Sequence, residues 1–290
     1  MPMQIRYDFF ISDLLLRVES PRQLYIPDNF KPFYSDMSPN RAPDILFQIV
    51  FDAASTTSGE DVRPLLTDNS HSDLPFLDKF PWENGEFIVR QASAGRGAPC
   101  RLFIPPGYAD IFCQCGGNWL AYFALERMLL PYDRFFLHSS AVIYQGKAYL
   151  FSAPSGGGKS THAALWQKHY DAVLLNGDKV LIHTERDGCM AYGSPVAGSS
   201  GIYKNIGAPI AAVFLLKKGA ENKLTPLSKR TGLLSLYSEA IKSHHDPMFN
   251  HQLLDLLEKM QTCVPVFSLE CLPEKSAVQY VLQNYERITP

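Results

Sequence analysis

Hydrophobic and polar positions change rhythm partway along the chain. Up to about residue 115 the apolar residues come in short runs rich in aromatic and β-branched side chains: "YDFFISDLLLRV", "DILFQIVFDA", "EFIVRQAS" and "CRLFIPP". Pro- and Ser-rich stretches such as "SPNRAPD" and "STTSGED" part them. Runs of this length and composition predict extended segments, so residues 1–115 read as a β-rich N-terminal module. "NWLAYFALERMLL", 118–130, predicts a helix apolar on nearly all sides, capped by Asn118 and stopped by Pro131. A helix of that kind is usually buried.

From Leu137 the pattern alternates between strand and helix. "AVIY", Gln145-Gly146 and "KAYLFS" predict a β-hairpin. "KSTHAALWQK" predicts a helix, and "AVLLN" a buried strand ending at Gly177-Asp178. "KVLIHTE", Asp187-Gly188 and "CMAYG" predict a second hairpin, and "PIAAVFLLKK" another buried strand. Leu233, Leu236, Tyr237 and Ala240 recur at helical spacing, as do Leu253, Leu256, Leu257 and Met260. "VPVFSLEC" reads as a late strand, and Val278, Val281, Leu282 and Tyr285 as one face of a last helix. The expected fold class is α/β, with residues 116–290 as the domain after the β-rich module.

Composition narrows the partners. With 290 residues, 46% of them hydrophobic, the chain can build one large core or two modest ones. A formal charge of −2 gives no general attraction to nucleic acid or to an anionic membrane, and neither is expected as a partner. "MPMQIRYDFF" has no basic segment leading into an apolar core, and the longest apolar run breaks at Glu126-Arg127. A soluble, cytoplasmic protein is the expectation. Cys100, Cys113, Cys115, Cys189, Cys263 and Cys271 form no Cys-x-x-Cys pair and read as reduced thiols. His244-His245-Asp246 has no third ligand at a useful spacing and reads as a solvated loop.

The chemistry concentrates in "SAPSGGGKSTHAALW". A polyphosphate needs many donors in a small volume, and backbone N–H groups supply them where glycines let the chain curl. Ser155, Gly156, Gly157 and Gly158 form that curl, Lys159 adds a mobile positive charge, and Ser160 offers a hydroxyl to Mg²⁺. Thr161 lies on the first turn of the next helix, whose amino end favours an anion. An apolar strand before and a helix after are the setting a phosphate loop requires. Asp178, at the end of the next apolar strand, is a candidate second Mg²⁺ ligand; the alternative is a turn residue in "NGD". His138 could accept a hydroxyl proton or stabilise a phosphoryl group, or be structural. "AGSSGIYKN", 197–205, is either a substrate-contacting loop through Ser199, Ser200, Tyr203 and Lys204 or a surface connection.

The stretch "LHSSAVIYQGKAYLFSAPSGGGKSTHAALWQKHYDAVLLNGDKVLI" resembles the core of the HPr kinase/phosphorylase C-terminal domain, a family similar in fold to the phosphoenolpyruvate carboxykinases. "YGSPVAGSSGIYKNIGAPIAAVFLLKKGAENKL" resembles the next segment of HPr-kinase-like proteins, so the likeness runs over about 135–225. It implies a P-loop nucleotide-binding domain and an ATP-dependent kinase acting on a hydroxyl of a peptide, protein or small molecule. In that reading Lys159 holds phosphates, Ser160 and Asp178 hold Mg²⁺, and His138 assists near the acceptor. The chain departs from the family at Gly177, where a first Asp would serve as general base. It departs again at Thr161, where a Glu often comes after the loop Ser, which argues against phosphorylase activity. Other phosphate-loop classes fit less well: "ENKLT" has Thr225 where guanine recognition needs Asp. The alternative to a kinase is a catalytically decayed nucleotide-binding regulator or partner subunit. The oligomeric state stays open, a homo-oligomer included.

Overall fold

The computed structural model describes residues 4–37, 39–52, 76–81, 87–92, 96–114, 122–196, 198–242 and 246–287. The chain is of mixed α/β type and divides into two compact units, Met1–Pro131 and Tyr132–Pro290. The divide falls beyond the change of pattern near residue 115, and Tyr122–Pro131 goes with the first unit.

The first unit is built on one sheet. Its strands are β1 (Ile5–Ile11), β2 (Leu14–Ser20), β3 (Tyr34–Ser35), β4 (Ile45–Val50), β5 (Phe76–Pro81), β6 (Phe87–Ala92) and β7 (Pro99–Phe103), in the order β3-β1-β2-β4-β7-β6-β5. "YDFFISDLLLRV", which reads as a single extended run, is a hairpin that turns at Ser12 with φ 56°. Asp8 and Arg17 face each other across it in a buried two-point ion pair, Nε to Oδ1 at 2.7 Å and Nη2 to Oδ2 at 2.9 Å. Two short helices come next, α1 (Ala109–Gln114) and α2 (Leu125–Leu129).

Of the helix expected over 118–130, the described residues contain α2; residues 118–121 lie outside the described residues. Ala124 sits in the left-handed region at φ 43°. Two tertiary contacts compete with the helix there. Phe123 is buried and stacks on Phe47 at 4.1 Å between centroids, and the Tyr122 carbonyl accepts a 2.8 Å hydrogen bond from Arg90 Nη1. Packing of one aromatic ring outweighs the modest helix propensity of the run.

In the second unit the long strand β8 (Arg134–Tyr144) organises the sheet. It turns through Gln145 and Gly146, both at positive φ (49° and 75°), into β9 (Lys147–Ser152), as a two-residue hairpin demands. Then come α3 (Lys159–Tyr170), β10 (Val173–Asn176), the hairpin β11 (Lys179–Thr184) and β12 (Cys189–Tyr192), β13 (Gly207–Lys218) and β14 (Lys223–Pro226). The chain finishes with α4 (Lys229–Glu239), α5 (Pro247–Met260), β15 (Val266–Cys271) and α6 (Lys275–Asn284). The pairings β8–β11–β12–β13–β9–β8 close a ring.

Strand direction positions the site. β9, β13 and β15 are mutually parallel. β10 is antiparallel to β8, which is antiparallel to β9, so β10 also runs with them. The carboxyl ends of all four strands therefore point the same way. One core holds Trp166 of α3, Phe151, Phe214 and Phe267 of the sheet, and Val278 and Val281 of α6. α5 buries Leu253, Leu256, Leu257 and Met260, the four its spacing predicts. α4 ends one residue short of Ala240, which leaves the helix in an extended conformation and bridges to Leu137. Residues 243–245 lie outside the described residues, and Asp246 is the N-cap of α5, accepting from Phe249 N at 2.9 Å. Cys100, Cys113, Cys189, Cys263 and Cys271 are free thiols, with Cys189 Sγ and Cys263 Sγ 3.2 Å apart; Cys115 is outside the described residues. Among the described residues no helix is long and apolar enough to cross a membrane.

Candidate functional site

β9 ends at Ser152, and the chain then curls through Ala153–Gly158 into α3. Gly156 and Gly158 take φ of 74° and 93°, a region that side chains disfavour. Gly157 is needed for closeness: a Cβ there would lie 2.5 Å from Ala153 Cβ and 2.9 Å from the Pro154 carbonyl. Its N–H donates to that carbonyl at 2.9 Å and shuts the curl. The first intrahelical bond of α3 runs from His162 N to Gly158 O at 2.8 Å. The amides of Lys159, Ser160 and Thr161 thus precede any carbonyl the helix could offer them. No side chain caps this end and no acid stands in the first turn, so its partial positive charge is uncompensated within the helix.

Lys159 is only 8% exposed, and Nζ donates to Ala153 O at 2.7 Å. Among the described residues no carboxylate pairs with it. A buried ammonium has three donors and a charge that one carbonyl does not neutralise. Ser155, Ser160 and Thr161 are exposed around it. The arrangement offers a polyanion a fixed cation, helix-end amides and three hydroxyls.

Asp178 stands on the same side of the sheet, after β10. The turn that carries it is held by Asn176, which is fully buried. Asn176 Oδ1 accepts from the backbone N of Asp178 and of Lys179, both at 2.9 Å, and its amide donates to Ser194 O and Val196 O, both at 3.2 Å. Ser139 N donates to Asp178 O at 2.9 Å, and Ser140 Oγ to Gly177 O at 3.1 Å. β8 pairs Ser139 with Ser152, the last residue before the loop. The Asp178 turn and the glycine loop are thereby anchored to the same two residues of β8 and the residue facing them. β10 is the next strand along the chain after β9 but does not pair with it; β8 lies between them.

His138 Nε2 lies 3.0 Å from Asp178 Oδ1, and its Nδ1 lies 3.9 Å from Glu239 Oε2. The structure thus places His138 between two carboxylates, one of which carries no signal in the sequence. Glu239 reaches it because α4 ends against β8, with Ile241 N donating to Phe136 O at 3.0 Å. The imidazole is about one-third exposed.

Residues 198–203 fold over this turn. A Cβ on Gly177 would lie 2.2 Å from Ser200 Oγ and 2.4 Å from Ser200 Cβ, and one on Gly198 would lie 2.7 Å from Asp178 Cγ. Tyr203 makes a bridge to Asn176. Of the loop residues singled out from the sequence, Ser200 and Tyr203 pack on the Gly177-Asp178 turn. Lys204 is exposed, its carbonyl occupying the space a side chain on Gly193 would need. Asn176 could have been found from "NGD", since Asn two residues before a turn amide is a common brace. Glu239 and the Gly177–Ser200 contact join distant parts of the chain.

His162, one turn into α3, is 3% exposed; burial pushes its pKa down to about 4, so it is neutral at ordinary pH. Cys271, beside it, has its thiol pKa pushed up by burial. Among the described residues no group of three or more His, Cys, Asp or Glu is set to hold a metal ion.

No family model matches the sequence, and no curated protein matches it. Among solved structures it is similar to the Hpr(Ser) kinase/phosphatase from Coxiella burnetii, with 11% identity over 52% of this chain and 96% of that chain and a TM-score of 0.33.

Proposed function

We propose that the protein binds Mg·ATP at Ala153–Ser160 and transfers the γ-phosphate to a hydroxyl of a peptide, protein or small molecule seated beside His138. The observation that carries this reading is the buried Lys159 ammonium inside a glycine curl at the amino end of α3. An imidazole–carboxylate pair anchored to the same strand end adds the acceptor side. Lys159 and the first amides of α3 hold the phosphate chain. Ser160 and Asp178 are the residues to hold Mg²⁺, which keeps company with nucleotide phosphates and needs only one or two protein ligands. That ion, when bound, neutralises phosphate charge. His138 donates from Nε2 to Asp178, which leaves Nδ1 to take the acceptor's proton. Glu239 Oε2 lies 3.9 Å from Nδ1, on the side where the acceptor's proton would arrive.

A second reading rests on Gly177. The space beside it that a carboxylate would need is filled by Ser200, and a nucleotide-binding regulator without transfer activity fits that packing. Incubation with γ-labelled ATP and a panel of serine peptides and small alcohols separates the two. Label transferred to a hydroxyl supports the kinase. ATP binding without transfer to any acceptor supports the regulator, and failure to bind ATP removes both.

A further inference from the structure

Beside the glycine loop lies a slot of about 340 Å³. The loop glycines and the first turn of α3 form one wall; the ends of β13 and β15 form the other. Leu216, Leu272 and Pro273 make it largely apolar. It is continuous with the phosphate cradle because Gly156–Gly158 and Thr161 line both. Parallel pairing creates it: Ser152 lies opposite Leu215, so β13 and β15 run on past the point where β9 ends and flank the loop.

His162 also lines this slot, and its Nε2 is buried with no hydrogen-bond partner among the described residues. Its ring is fixed edge-to-face on Phe151 at 4.5 Å between centroids, and Nδ1 is 4.0 Å from Cys271 Sγ. Natural interiors satisfy nearly all buried polar atoms, and an exception at the wall of a cavity points to a partner that binds there. Among the described residues Trp166 Nε1 and Ser268 Oγ also have no partner, but neither residue lines the slot. A small-molecule site of this size is typically apolar with a few placed polar groups. A heteroaromatic ring with hydrogen-bonding edges fits that description.

We propose that this slot receives the purine base of the nucleotide whose phosphates lie in the loop, with His162 Nε2 as the partner of the base edge. The proposal rests on the phosphate-binding reading of Ala153–Ser160. It gives the nucleotide its direction: phosphates at Lys159, base toward the ends of β13 and β15, and the γ-phosphate left toward His138.

The test is calorimetry with Mg·ATP and, separately, Mg·tripolyphosphate, on the wild type and two variants. Pro273→Trp, at an exposed position, fills the slot mouth; His162→Phe keeps the ring and removes the nitrogen. The expected result is that ATP binds wild type about 10-fold or more tighter than tripolyphosphate. Each variant is expected to lose about 10-fold in ATP affinity, the scale of one buried hydrogen bond, with tripolyphosphate affinity unchanged within about twofold. Imidazole ¹⁵N resonances give a second readout, with His162 Nε2 shifting on addition of ATP and not of tripolyphosphate. If both variants bind ATP as wild type does, or ATP binds no tighter than tripolyphosphate, the slot is not the base site while the loop reading stands. If wild type binds neither compound, both readings fall.

Discussion

At Gly177 the loop carrying Ser200 packs into the space a side chain would take, and a double-mutant cycle with Ser200 measures that contact. The φ of Gly177 lies outside the left-handed region, so alanine is permitted by the backbone and differs only by its Cβ. That atom would meet Ser200 Oγ at 2.2 Å and Cβ at 2.4 Å, more than an ångström inside ordinary contact. Ser200 cannot retreat freely. Its hydroxyl accepts from Ile202 N at 3.3 Å, and its loop is tied to Asn176 through the Tyr203 bridge. Overpacking of a well-ordered site costs about 1–3 kcal/mol, so Gly177→Ala is expected to destabilise the second unit by that amount. Ser200→Gly removes both clashing atoms. In that background the same substitution is expected to cost less by about 1 kcal/mol or more, a coupling energy of the size contacting residues show. Urea unfolding of the four proteins, followed by tryptophan fluorescence, gives the cycle. Equal costs of Gly177→Ala in the two backgrounds would refute the argument that Ser200 occupies this space.

Other consequences can be checked as directly. Lys159→Ala is expected to weaken Mg·ATP binding by about 10- to 150-fold, equivalent to a charge-assisted contact of about 1.5–3 kcal/mol; equal affinities by calorimetry would remove Lys159 from the phosphate site. His138→Ala is expected to slow phosphoryl transfer by about 10²–10⁴-fold with ATP affinity nearly intact, and Asp178→Asn to damage both transfer and its Mg²⁺ dependence. Unaltered turnover in His138→Ala would dismiss its role. Because burial lowers the His162 pKa from 6.5 to about 4, the unfolded chain takes up this proton first as pH falls. Stability from this group is whole above about pH 6.5 and declines toward pH 4, by about 3 kcal/mol in all. A flatter pH–stability curve for His162→Phe is the expected signature, and an unchanged curve would contradict it. Cys189 and Cys263 are close enough that hydrogen peroxide, taking two electrons and both thiol protons and leaving as water, is expected to join them. Intact-mass measurement would show loss of two hydrogens, and Cys263→Ser would abolish it.

The features legible in the sequence were local. The glycine curl, the Gln145-Gly146 turn and the inner faces of α5 and α6 are each specified by a few neighbouring residues, and the structure contains them. At 122–124 the expected helix is interrupted because Phe123 and the Tyr122 carbonyl have better partners in distant segments, Phe47 and Arg90, and no periodicity reports that. The placement of Asp178 behind β8, and of Glu239 beside His138, likewise depends on strand order and on where α4 stops. Gly177 shows the difference most sharply. Read along the chain against the resembling family, it is a missing acid, and loss of function would be the natural cause. In the folded unit it is a contact point: Ser200 packs into the space a side chain would take, Gly198 lies against Asp178, and Asn176 braces the turn from beneath. A position against which a neighbouring loop has closed accepts a side chain only at a cost in packing. Introducing an acid with Gly177→Asp alone should therefore displace the 198–203 loop. Only with Ser200→Gly beside it does the substitution ask a chemical question.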